Sequence, residues 1–139
     1  MLKRARENWP IRILPFTAAE KKALVRGADD ATRSYQISFN LSAQPDAKWV
    51  ELFQTSWYQQ YGGGAIPRVT AAAILVASSI ADLQIALSRL KLVVATANER
   101  YGALIERQNK EVADAQRQTE DKKRSAGQAM SDALDKLQF

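Results

Sequence analysis

From Ile80 onward the apolar residues recur in alternating steps of three and four: Ile80, Leu83, Leu87, Leu90, Val94, Ala97, Tyr101 and Leu104. That is a heptad seam, and it demands a long helix with one side laid against something apolar. The seam ends at Leu104 and a charged stretch follows. An i, i+3, i+4, i+7 stripe then returns at Ala126, Ala129, Met130, Ala133, Leu134 and Leu137. Ala81, Ile85, Leu92 and Ala95 fall near the opposite side of the same helix, so its first turns are apolar on two faces and must be buried twice. One face would cover a sheet, and the other needs the helix that starts near Trp49 or a partner chain.

The connecting stretch, residues 106–125, offers only Val112, Ala113 and Ala115 as apolar side chains. Opposite charges such as Glu106 and Lys110, or Asp114 and Arg117, stand three or four apart and support an exposed helix by a few tenths of a kcal/mol each. Gly127 marks a hinge or cap before the final stripe. A helix of about a dozen residues is marginal alone in water, so residues 126–139 are expected to fold when docked. The docking surface is either their own domain, through a helical hairpin, or another chain.

The chain contains no cysteine and no histidine. This excludes thiolate and imidazole metal sites, Cys/His and Ser-His-Asp catalysis, and thiol redox switching. The acidic residues show no calcium-loop spacing, and no Lys, Ser, Tyr, Asp or Glu pair lies in a strained-turn or glycine-rich context. Gly62-Gly63-Gly64 lacks the following Gly-Lys-Ser/Thr of a phosphate loop and reads as a connection. No catalytic residue, metal ligand or cofactor is assigned, and the chain is not expected to be an enzyme.

Of the net charge of +5, residues 1–35 carry eight basic against four acidic side chains, a surplus of four. Lys3, Arg4, Arg6, Arg12, Lys21, Lys22 and Arg26 are therefore candidates for phosphate contacts, with Trp9 and Phe16 available for stacking, although no nucleic-acid motif accompanies them. A solvated basic arm is the plainer reading. The basic start is not followed by an apolar h-region, so no signal peptide is read and the chain is placed in the cytoplasm. The most apolar window, residues 69–87, contains Asp82 and Gln84 and is rich in Ala and Ser, so no membrane span is expected.

Trp9 to Phe16 alternates in part between Pro10 and Pro15 and reads as an edge strand at best. Thr17 and Glu20 have capping-box spacing, predicting a short helix to Val25 with Gly27 as its left-handed stop. Tyr35, Ile37, Phe39 and Leu41 alternate with polar residues and mark a half-buried strand. Asp46 is a reasonable N-cap for a helix carrying Trp49, Leu52, Phe53, Trp57 and Tyr61 on one side. Residues 69–77 fit either a fully buried strand or a backward extension of the seam. The Ser-Ser pair, with Ser79 as cap of the next helix, favours the strand. If that strand neighbours the Tyr35 strand in parallel, the crossover should be right-handed.

The fold expected is α+β: a small sheet of two or three strands packed by helices, with a long C-terminal helical extension. Residues 1–33 form a basic arm with an edge strand and short helix, 34–105 the α+β core, and 106–139 the charged spacer and amphipathic end. The function expected is that of a non-catalytic assembly or adaptor subunit. It would oligomerise or recruit a protein partner through Tyr101, Leu104, Met130, Ala133, Leu134 and Leu137. The alternative is a nucleic-acid-binding accessory protein using the basic arm. Asn98, Arg100 and Tyr101 form a polar cluster where the helix leaves its apolar zone, either an interface corner or a solvent boundary.

Overall fold

The computed structural model describes residues 9–62 and 64–138. The chain divides into two compact units between Gly102 and Ala103. In order, the elements are α1 (Ala18–Gly27), β1 (Ser34–Asn40), α2 (Ala47–Tyr61), β2 (Arg68–Thr70), β3 (Ala73–Ser79) and α3 (Leu83–Asp135). The fold is α+β, with a three-stranded antiparallel sheet in the order β1-β3-β2 and one very long helix.

Local chemistry starts the first two helices where the caps place them. The Thr17 hydroxyl accepts from the Glu20 amide at 3.1 Å, and Glu20 Oε1 accepts from the Thr17 amide at 2.9 Å, a complete capping box. The Thr17 amide and Asn40, which also donates to the carboxylate, hold Glu20 below the usual carboxylate range. At the head of α2, Asp46 Oδ1 accepts from the Trp49 amide at 2.9 Å. Gly62, at φ 79°, ends that helix with its amide on the Tyr58 carbonyl. Gly27, by contrast, is the last helical residue of α1 and not a left-handed stop. The chain leaves through an extended Ala28, whose amide reaches the Val25 carbonyl, so no positive φ is needed.

Residues 69–77 are extended, as the Ser-Ser pair favoured, but they do not form a single strand. Thr70 faces Ala73, Val69 faces Ile74 and Arg68 faces Leu75 across a two-residue turn at Ala71-Ala72. Ala71 takes φ 49°, a left-handed conformation that costs a residue with a Cβ about 1–2 kcal/mol. Because β2 turns back on β3, the third strand comes from this hairpin and not from the amino-terminal segment. Between its two prolines that segment makes a lone bridge, Ile13 to Leu41, closed by bonds from Leu14 to Asn40 and from Ser42 to Arg12. β3 also runs antiparallel to β1, in the register Ile37–Val76 and Phe39–Ile74, so no parallel crossover exists. Ser79 ends β3 and does not cap α3. A turn intervenes, with the Asp82 amide on the Ser79 carbonyl.

The register puts Ile37, Phe39, Ile74 and Val76 on one face, all buried, while Gln36, Ser38 and Ala77 lie exposed on the other. The buried residues of α2 (Trp49, Phe53, Trp57) and of α3 (Leu90, Val93, Val94, Ala97, Tyr101) provide the second layer of this core. The seam read from the sequence is interior from Leu90 to Tyr101, while Leu83 and Leu87 are half-buried and Ile80, ahead of the helix, is 43% exposed. The opposite side of α3 does not find its second cover in α2: Ile85 is 51% and Leu92 49% exposed, Ala95 is exposed too, and so is Ala81 in the turn before the helix.

Within the second unit the helix runs unbroken through Gly127 to Asp135, with no hinge there. Of the ion pairs read from the spacing, Asp114 with Arg117 forms; the others among the described residues are Arg33–Asp29 and Lys48–Glu51. No helix of the described residues is long and apolar enough to cross a membrane.

Candidate interaction surfaces

The polar cluster at the end of the apolar zone proves to be an internal junction. Asn98 lies on α3 between the buried Ala97 and Tyr101. Its Oδ1 accepts from the Ile11 amide at 3.0 Å and from the Trp49 indole at 2.9 Å, and its Nδ2 donates to the Ile11 carbonyl at 2.7 Å. The Trp9 indole donates to the Asn98 backbone carbonyl at 2.9 Å. One amide side chain thereby joins three segments and satisfies groups that Pro10 and the short bridge leave without a ladder. Gly102 lets this happen: a Cβ there would stand 2.7 Å from the Trp9 ring. Arg100 reaches the Ser56 hydroxyl at 3.1 Å.

Tyr101, counted from the sequence among the partner-contacting residues, is buried in the first unit and donates its hydroxyl to Asp46, the carboxylate that caps α2. Burial first, then this bond and the charge of Asp46, push the phenol far above its ordinary value near 10. A raised phenol contributes stability below the ionisation point of the unfolded chain and loses it as pH climbs beyond. The stability advantage of the native chain over Tyr101→Phe is therefore expected to stay constant up to about pH 9 and to shrink above about pH 10. Urea titrations at stepped pH measure it, and an advantage that persists undiminished to pH 11 would contradict the assignment.

Leu104 is half-buried. Met130 is 62%, Leu134 57% and Leu137 56% exposed, and Ala133 is exposed beside them. Met130, Ala133 and Leu134 project from regular helix, and Leu137 follows in a last turn whose amide bonds the Leu134 carbonyl. These residues form an apolar stripe that nothing among the described residues covers.

Of the candidate phosphate contacts, Lys3, Arg4 and Arg6 lie outside the described residues. Arg12, Lys21, Lys22 and Arg26 are exposed and enter no ion pair among the described residues. The last three ride on α1, which has no buried residue. A groove of about 640 Å³ opens in the first unit between Trp57, Ile66, Leu75 and Ile85, with Arg68, Asp82 and Arg89 at its walls. The Arg89 guanidinium lies 5.0 Å over the Tyr61 ring. No group of acidic residues that could hold a metal ion occurs among the described residues.

Sequence reasoning noticed Asn98 but not its task. The available signal was an amide residue flanked by interior positions at Val94, Ala97 and Tyr101, where a solvent-facing residue would break the seam. No protein-family model matches this chain, and neither a curated protein nor a solved structure matches it.

Proposed function

We propose that this chain is a cytoplasmic, non-catalytic assembly subunit whose second unit associates through the stripe Met130, Ala133, Leu134 and Leu137. The observation that carries this reading is the uncovered apolar stripe on a fully formed helix. An isolated helix gains little from propensity, and the net ordering of such a segment comes from packing its apolar side. Large apolar residues grouped on one exposed face mark interaction surfaces more often than scattered single ones do. A chain without cysteine or histidine has no thiolate or imidazole for catalysis or for a transition-metal site, which is consistent with this reading.

The test compares the full chain with Met130→Glu/Leu134→Glu by light scattering and far-ultraviolet circular dichroism. The native chain should scatter as more than one copy at micromolar concentration. The variant should fall to the single-chain mass and lose helical signal, with the first unit unchanged by tryptophan fluorescence. Single-chain mass and equal helicity in both would overturn the reading.

A further inference from the structure

We infer that the open stretch of β3, from Val76 to Ser79, receives an extended, acidic segment of another protein as an added strand. This surface lies in the first unit and is separate from the stripe on the second, so either stands or falls without the other.

β1 pairs with all seven residues of β3, but β2 pairs only with Ala73, Ile74 and Leu75. Alternate residues of an antiparallel strand turn both backbone groups to the same neighbour. The Leu41 amide bonds the Ala72 carbonyl, and that phase gives Ile74, Val76 and Ser78 to β1. Ala73, Leu75, Ala77 and Ser79 therefore turn to the other side, where β2 meets the first two and ends at Arg68. Ile66, which would face Ala77 if β2 continued, is 41% exposed and makes no bond to it. The Ser79 carbonyl is taken by the Asp82 amide and the Ser78 hydroxyl. The Ala77 amide, the Ala77 carbonyl and the Ser79 amide have no backbone partner among the described residues. Such a row is a template for main-chain pairing.

The groove of about 640 Å³ opens along this row, lined by every residue from Val76 to Ser79. Side chains of an added strand would alternate as those of β3 do. Those opposite Val76 and Ser78, both buried, turn inward toward Trp57 and Ile85, so apolar residues suit them. The one opposite Ala77 lies on the face that Arg68 shares with Leu75. Arg68 and Arg89 outnumber Asp82 at the walls, and none of the three enters an ion pair among the described residues. An acidic residue between two apolar ones is the complement. The chain's own first residues, with Lys3, Arg4 and Arg6 against Glu7, carry the wrong sign. A second copy joined edge to edge by a two-fold would bring its α3 wall, with Arg89, onto the same side of the sheet as the first.

The test uses the full chain and a capped Val-Glu-Val-Glu-Val peptide, with its lysine analogue as control. Amide exchange followed by NMR should find the Ala77 and Ser79 N–H fast in the free chain. With the glutamate peptide at about ten times its Kd, both should slow by about tenfold. The lysine peptide should bind at least about tenfold more weakly, and Arg68→Glu should reverse that order. Ala77→Pro removes one open N–H without touching the ladder to β1, so it should keep the native circular dichroism and lose the peptide. If that variant does not fold, the Arg68→Glu reversal decides. Met130→Glu/Leu134→Glu should bind the peptide as the native chain does, so failure of the assembly reading leaves this site intact. No slowing with the peptide, or equal affinity for the two peptides, overturns the proposal. Protection of these amides in the free chain overturns it too, and protection that vanishes on dilution would give the edge to a second copy.

Discussion

Replacing Asn98 by alanine is expected to destabilise the first unit by about 3–4 kcal/mol, among the largest costs of any single substitution in this chain. The side chain makes three bonds, to the amide and carbonyl of Ile11 and to the Trp49 indole. Ile11 and Trp49 are both buried, so their abandoned groups do not simply return to water. Each buried polar group left without a partner costs about 1–3 kcal/mol, and partial hydration of the vacated space trims the sum. Urea denaturation followed by tryptophan fluorescence reports on the right part of the molecule, because Trp9, Trp49 and Trp57 all precede Gly102. A companion cycle with Trp49→Phe isolates the indole bond. Once Asn98 is gone, removing the indole N–H should cost about 1 kcal/mol less than in the native background. A loss below about 1 kcal/mol for Asn98→Ala would mean that the junction is wetter and looser than its geometry indicates.

Phe53→Ala is expected to cost about 3–5 kcal/mol, the range for deleting a buried aromatic ring from a core that cannot collapse around the vacancy. Phe53 has no exposed surface. Its ring stacks on Trp49 at 5.5 Å and 12° and tilts against Trp57 at 6.4 Å. Two large, rigid neighbours cannot both swing into the space, since Trp49 is also tied to Asn98. Phe53→Leu retains most of the volume and should cost less than half as much. The same urea midpoints decide it. Equal losses for alanine and leucine would show that ring stacking, not filled volume, governs the site.

The elements that could be read from the sequence are those whose signals lie within a few residues. Thr17 and Glu20 announce α1, Asp46 announces α2, and the alternation from Tyr35 to Leu41 announces β1, because caps and strand faces are set by neighbours three or two positions away. The hairpin at Ala71-Ala72 was illegible for the opposite reason. Two-residue turns advertise themselves through glycine or asparagine at the left-handed position, and here alanine occupies it. Gly27 misled in the other direction, offering a left-handed stop that the chain does not use. The junction at Asn98 depends on residues more than eighty positions away, and no local period encodes that pairing. For the candidate surface, the stripe from Ala126 to Leu137 was legible as a period and its exposure was not. Tyr101 shows the difference: it continues the seam, yet its hydroxyl finds Asp46 inside the domain.

The Asn98 junction also sets a timetable. Its bonds to Ile11 and from Trp9 close loops of 87 and 89 residues. A growing polypeptide can assemble β1, α2 and the β2–β3 hairpin while it is still being made, since their contacts are closer in sequence. Although Ile13 can bridge to Leu41 early, Trp9 and Ile11 have no seat until Asn98 and Gly102 have been added. At about 5–20 residues per second, that is a wait of roughly 5–20 seconds after Ile11 is made. Throughout it Trp9 and Ile11 travel without their partners on α3, and this is the interval in which a nascent-chain chaperone would find them.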